Sequence, residues 1–433
     1  MGLLRWLLGL FGANSGTAVA KAWTDQALRS TAGRPWRRPR LSSIRRNAVS
    51  PPLRRTPAPT TPQPAYRFAR QGVAGMLESL RGRSSYLNLA TDLDRTRLDR
   101  WNLPPLATPD ELADWLEIPV GKLAWLSGRL VSGNRPPSTR EAHYVFRWKA
   151  KRSGGARLIE SPKPLLRQVQ TKILREILDK VPPHAAAHGF VAGRSILTNA
   201  KPHCDRVVVV KWDLTDFYAS VRYSRVVAIF RSLGFSREVA LWLASLTTSA
   251  IAADLPFPES GPQALRPYLG RHLPQGAATS PALANLSAFS LDVRLSGLAR
   301  AFGGAYTRYA DDLTISGDDA FARQLKNVIP LVEKVIRQER FHVHAKKRKV
   351  IRRGQRQVVA GVVVNQHPNI RRDDFDRLKA ILYNSAKHGP ASQNPNGHPD
   401  FAAHLRGRIA HAAMLNSVRG EKLMRLYEAI DFG

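Results

Sequence analysis

The sequence predicts an α+β fold, with helices packed on one face of an antiparallel sheet. Two hairpin-like segments point to the sheet, Tyr144–Ile159 and Ala305–Ser316, together with the nearly unbroken apolar run Val207–Trp212 between them. Helical periodicity at Leu165–Leu178 and Leu283–Leu298 supplies the covering layer.

Charge narrows the function before any motif is read. The 433 residues carry 67 Lys and Arg against 33 Asp and Glu, a formal net charge of +34 and a pI near 11.2. A chain this basic repels itself unless much of the charge faces a polyanion. Nucleic acid fits, because cations that neutralise phosphates release bound counterions; an anionic membrane is the other candidate surface. No apolar run reaches the roughly 18 residues of a membrane span. The single cysteine, Cys204, cannot form an internal disulfide, so the fold needs no oxidising compartment.

From the N-terminus, Met1–Gly12 is apolar and Ala18-Val19-Ala20 follows, which resembles a signal peptide. Arg5 interrupts the stretch, so a short amphipathic helix and a cytoplasmic protein are expected instead. Nine arginines and no acidic residue lie between Arg29 and Arg55, among many prolines. Such a segment favours extended, disordered chain, and residues 1–67 are assigned to a basic extension that either binds RNA or is a solvated linker. Residues 68–140 form a helical lead-in, with Leu112, Trp115, Leu116, Leu123 and Leu126 as apolar positions and Pro119 and Gly121 dividing two short helices.

The main domain begins with the alternating Tyr144-Val-Phe-Arg-Trp, the turn Ser153-Gly154-Gly155 and the alternating Ala156-Arg-Leu-Ile, a hairpin with a basic tip. The following helix places Leu166, Val169, Ile173 and Ile177 on one face. Val207–Trp212, broken only by Lys211, reads as a buried central strand. The second hairpin carries Asp311 and Asp312 at its turn.

Asp213 ends the central strand, where an unpartnered carboxylate is costly to bury. Asp311 and Asp312 are adjacent like charges. A divalent cation resolves both conflicts, and Mg²⁺ favours one or two carboxylates plus substrate phosphates. Each signal alone is weak, since a paired Asp at a turn is usually a solvated tip. Together on neighbouring strand ends they supply what nucleotidyl transfer needs: two metals about 4 Å apart that activate a 3′-hydroxyl and stabilise the leaving pyrophosphate.

Asp213-Leu-Thr-Asp-Phe-Tyr, Leu273-Pro-Gln-Gly-Ala-Ala-Thr-Ser-Pro and Tyr309-Ala-Asp-Asp, in this order, resemble the core motifs of reverse transcriptases across roughly Tyr144–Asn365. The resemblance implies a right-hand polymerase of fingers, palm and thumb, with an antiparallel palm sheet and a helical N-terminal segment. Residues 141–370 would be fingers and palm, and 371–433 a helical thumb. It further implies that Asp213, Asp311 and Asp312, helped by the Leu214 carbonyl, hold two Mg²⁺ ions, or Mn²⁺ in their place. Tyr218 would exclude a 2′-hydroxyl from the incoming sugar, and Gln275 and Gly276 would shape the nucleotide pocket. Lys151 and Arg157 would close on the triphosphate of a dNTP, and Lys347 would act as general acid toward pyrophosphate. The bland alternatives are a core tyrosine at 218, plain turns at 151–157 and 275–276, and template contact at Lys347.

Two elements resemble the retron branch in particular. Asn199-Ala200-Lys201-Pro202-His203, after His188-Gly-Phe-Val-Ala-Gly-Arg-Ser, looks like its Asn-Ala-x-x-His element, and Val359-Ala360-Gly361 like its Val-Thr-Gly. The chain departs from the pattern at Ala360, which lacks the hydroxyl, and at Ala219, Ala278 and His344. The resemblance implies a structured non-coding RNA serving as template and primer, an RNA–DNA heteroduplex, branched RNA-linked DNA and a role in antiphage defence with an effector or toxin protein. RNA contacts would come from Asn199, His203, Val359, Ala360 and Gly361. The thumb would add Arg371, Arg372, Lys379, Arg406 and Arg408, whose bland alternative is a solvated helix face. For Asn199 and His203 the bland alternative is a satisfied loop pair. Competing functions are a group II intron or diversity-generating reverse transcriptase, and an RNA-binding scaffold without catalysis.

Overall fold

The computed structural model describes residues 89–128, 135–151, 154–344 and 347–432, with a two-residue strand pairing of Arg55–Thr56 with Tyr86–Leu87. The expectations for most of residues 1–67 lie outside the described residues. The chain divides into two compact units. One contains the described residues up to His184 and Asp216–Ser290; the other contains Ala185–Thr215 and Leu291–Gly433.

The first unit opens with the lead-in helices Pro109–Leu116 and Val120–Leu126. A capping box fixes the start of the former: Thr108 Oγ1 accepts from Glu111 N at 3.3 Å and Glu111 returns the bond, with Pro109 at the first helical position. Strands β1 (Tyr144–Ala150) and β2 (Ala156–Pro162) pair antiparallel, and Gly154 and Gly155 supply positive φ at the tip. The helix predicted at Leu165–Leu178 runs Pro164–Glu176, burying Leu166, Val169 and Ile173. Helices Tyr223–Leu233 and Arg237–Thr247 pack closely on each other, the latter buried on nearly every side.

The second unit is built on a four-stranded antiparallel sheet. Strand β3 (Val208–Asp213) is central because its valines are stiff at χ1 and suit a pleated surface; Val208, Val209 and Val210 are fully buried. The second hairpin gives β4 (Ala305–Tyr309) and β5 (Asp312–Gly317), and β6 (Lys349–Arg352) lies on the far side of β3, in the order β4-β5-β3-β6. A small hairpin, β7 (Val358–Val359) and β8 (Val362–Val363), turns through Ala360 and Gly361. Both have positive φ, 46° and 88°, as a type I′ turn requires. The helix predicted at Leu283–Leu298 is instead two, broken at Ala288: Ser280–Ser287, which belongs to the first unit, and Phe289–Ala301, most of which belongs to the second. The tail folds as Arg372–His388, Phe401–Leu415 and Ser417–Glu428 around Phe375, Leu378, Leu382, Leu405, Ile409 and Leu423.

Candidate active site

Strand pairing brings the predicted carboxylates together. Asp213, last in β3, stands opposite Asp312, first in β5. One residue on, Leu214 N donates to the Asp311 carbonyl at 3.0 Å. The turn between β4 and β5 is only Ala310 and Asp311, and it closes because Ala310 adopts φ 55°. On the other flank, Thr215 N donates to His342 O at 2.8 Å and His344 N to Asp213 O at 2.9 Å, so the Asp213 backbone is held from both sides. Burial, followed by the neighbouring carboxylates, pushes the pKa of Asp311 upward; burial and Asp213 do the same to Asp312.

Beneath the turn lies a network that the motif reading missed. Arg308 is fully buried and donates from Nε and Nη2 to the two carboxylate oxygens of Asp292, at 2.8 and 2.6 Å. Its Nη1 donates to Ala310 O at 3.1 Å, and Tyr306 Oη donates to Asp292 at 2.8 Å. The guanidinium therefore ties the residue before Asp311 to the Phe289–Ala301 helix. The available signal was a charge at a strand position flanked by buried residues, which demands a partner.

Lys347 reaches the same strand end, with Nζ 3.1 and 3.2 Å from the two oxygens of Asp213. Among the described residues no three His, Cys, Asp or Glu side chains form a ready-made ion cage. The donor chemistry nevertheless fits a hard divalent cation: three neighbouring half-buried carboxylates, of which Asp311 and Asp312 have their charged forms disfavoured until positive charge is added. Sites of this kind are completed by the substrate's phosphates rather than by protein ligands alone. Asp213, Asp311 and Asp312 are the carboxylates at this edge, and Leu214, expected to add its carbonyl, is paired there through its amide.

The expected nucleotide-pocket residues belong to the first unit. Gly276 has φ 135°, and a Cβ there would stand 2.9 Å from Glu160 O, so glycine is required. Glu160 N donates to Gln275 O at 2.9 Å, while its carboxylate meets His272 Nε2, also at 2.9 Å, with both side chains fully buried. This Glu160–His272 pair, absent from the motif reading, holds Leu273-Pro-Gln-Gly from below. Tyr218 is half-buried beside Phe217, not enclosed in the core. Lys151 lies 3.6 Å from Asp216, and Arg157 is exposed on β2 opposite Lys149.

The expected RNA contacts divide by burial. Asn199 and His203 are 1% and 0% exposed, which corrects the expectation that their side chains face RNA. His203 bridges two strands instead: Nδ1 lies 2.7 Å from Ser316 Oγ and Nε2 2.8 Å from Thr307 Oγ1. Thr307 spends its one hydroxyl proton on Asn199 O at 3.2 Å. The Nε2 atom of His203 must then donate to Thr307, leaving Nδ1 to accept from Ser316. Val359 is likewise buried, against Ala200, Val209 and Leu415. Ala360 is half-buried and Gly361 exposed. Gly361, Arg371 and Arg408 line one cleft with His404 and His411. Arg372, Lys379 and Arg406 are exposed, Arg372 being 3.5 Å from Asp376.

The family described as reverse transcriptase (RNA-dependent DNA polymerase) matches residues 149–371. The Retron Mx65 reverse transcriptase of Myxococcus xanthus is 41% identical over 77% of this chain and 74% of its own. The Retron Mx162 reverse transcriptase of the same organism is 36% identical over 74% and 67%. The Retron Se72 reverse transcriptase of Salmonella heidelberg is 26% identical over 76% and 81%.

Proposed function

The chain belongs to the retron reverse transcriptases, an RNA-directed DNA polymerase of right-hand fold, and on that premise we propose that it copies a structured non-coding RNA serving as both template and primer. The product is branched, RNA-linked single-stranded DNA, made in the cytoplasm as part of antiphage defence with an effector or toxin protein. Fingers and palm correspond to residues 141–370 and the thumb to 371–433.

The observation that carries the chemistry is the meeting of Asp213, Asp311 and Asp312 at one end of the β4-β5-β3-β6 sheet. Divalent-metal dependence is general to the family; the ions proposed here are two Mg²⁺, and when bound they supply the positive charge that activates the 3′-hydroxyl and steadies the leaving pyrophosphate. Asp213, Asp311, Asp312 and the Leu214 carbonyl hold them. The Lys347 ammonium, already at the Asp213 carboxylate, delivers a proton to the departing pyrophosphate. Tyr218 rejects a 2′-hydroxyl on the incoming dNTP by contact, Gln275 and Gly276 shape its pocket, and Lys151 and Arg157 bind its phosphates. Gly361, Arg371 and Arg408 grip RNA phosphates from their shared cleft, with Arg372, Lys379 and Arg406 adding contacts from the exposed thumb surface.

The test is to express the chain with its upstream non-coding region and sequence the nucleic acid that copurifies. Branched RNA–DNA from wild type and none from Asp311→Asn is the expected result. RNA alone from an expressing, correctly folded wild type overturns the retron-type reaction.

A further inference from the structure

Beside the catalytic turn sits an aromatic side chain with no assigned task. The segment Ala186–Phe190 runs along the end of β4: Arg308 N donates to Ala186 O and His188 N to Arg308 O, each at 2.8 Å. Gly189 then presses on the turn itself, and a Cβ there would stand 2.6 Å from Ala310 N. The loop is fastened from behind by Arg194, which donates to Ala185 O at 3.0 Å and also to Ala187 O, and by His188 Nδ1, 2.9 Å from Thr198 Oγ1.

This scaffold presents Phe190 in an unusual state. Its φ is 61°, a conformation glycine adopts freely and bulky side chains rarely do. The residue is nonetheless 56% exposed, with its ring centroid 6.5 Å from that of Tyr309. A phenylalanine that gains little burial from an unfavourable backbone is explained by what it contacts in the working complex. The carboxylates that must meet the reacting 3′-hydroxyl begin two residues after Tyr309.

We propose that Phe190 is a substrate-contacting residue of the polymerase, its ring, with Tyr309, forming an apolar platform for the sugar and base at the growing 3′ end of the primer strand. The proposal rests on the polymerase reading. The primer end is favoured because Gly189 and Phe190 abut Tyr309 and the turn that carries Asp311, beside the carboxylates that meet the primer's 3′-hydroxyl in this reading.

The test uses the full chain, a DNA primer annealed to an RNA template, dNTPs and Mg²⁺. Phe190→Ala is expected to raise the KM for primer–template and its Kd by fluorescence anisotropy roughly tenfold, the scale of one lost base–aromatic stack. The KM for dNTP should stay within about twofold. Phe190→Trp should restore binding. Phe190→Gly separates substrate contact from folding: relief of the positive φ keeps its melting temperature at or above wild type, while its binding falls as far as that of Phe190→Ala. Unchanged primer–template affinity in both small variants overturns the proposal, as does a loss confined to dNTP. So does a loss that tracks a lower melting temperature in Phe190→Gly. Failure of wild type to extend the primer would count against the polymerase reading instead, and the anisotropy comparison would still decide the role of Phe190.

Discussion

Lys347 Nζ bridges both carboxylate oxygens of Asp213, at 3.1 and 3.2 Å, so the residue expected to protonate pyrophosphate is already anchored at the edge where the three aspartates meet. The lysine side chain is 44% exposed, so the ion pair adds little to stability, about 0–1 kcal/mol. The pair holds the ammonium in place for its proposed part as proton donor. Lys347→Ala should lower kcat by about 100-fold with primer–template affinity nearly unchanged. Single-turnover incorporation measured beside equilibrium binding checks this, and equal losses in both would assign Lys347 to template contact.

Asp311 and Asp312 are held at a cost to the fold, because burial and like charge disfavour their ionised forms. Asp312→Asn should therefore raise the melting temperature in metal-free buffer, while abolishing polymerisation. Adding Mg²⁺ should stabilise wild type more than the variant. Calorimetry with and without the ion measures both effects; a variant that melts lower than wild type in metal-free buffer contradicts the account.

Arg308 supports the turn through Ala310 O and is neutralised by Asp292. Removing one partner leaves a buried charge unpaired, so Asp292→Asn should destabilise by about 3–5 kcal/mol. Arg308→Lys keeps the charge but cannot make the two-pronged bond and reach Ala310 as well. It should retain more stability than Asp292→Asn yet still lose kcat. Urea unfolding with parallel kinetics distinguishes the two variants.

His203 is fully buried, and burial pulls its pKa down to about 3. The folded state resists its protonation while the unfolded chain takes up a proton near pH 6.5. The stability it contributes is thus complete above pH 6.5 and declines as the pH falls toward 3. By pH 5 the loss from this group is about 2 kcal/mol. His203→Gln should lack that part of the pH dependence. Unfolding midpoints at pH 7 and pH 5 for both proteins test it, and identical slopes would refute it.

Motif spacing located the chemistry but not the support beneath it. Tyr309-Ala-Asp-Asp and Asp213 were legible because each motif is contiguous and each strand shows its period locally. Arg308, Asp292, Glu160 and His272 were not, since their partners lie 16 and 112 residues apart in the chain. Asn199 and His203 were recognisable as a motif, but nothing local in the sequence showed that both side chains are buried.

The sequence by itself determined a strongly basic α+β polymerase with a central valine strand, a short aspartate turn and a helical tail, because composition and periodicity are properties of neighbouring residues. Only the tertiary structure decided that Asp213 faces Asp312 across the sheet, that His203 joins two strands instead of meeting RNA, and that Phe190 is displayed beside Tyr309. Those outcomes depend on strand register and on which side chains become buried, and both are set by contacts between distant parts of the chain.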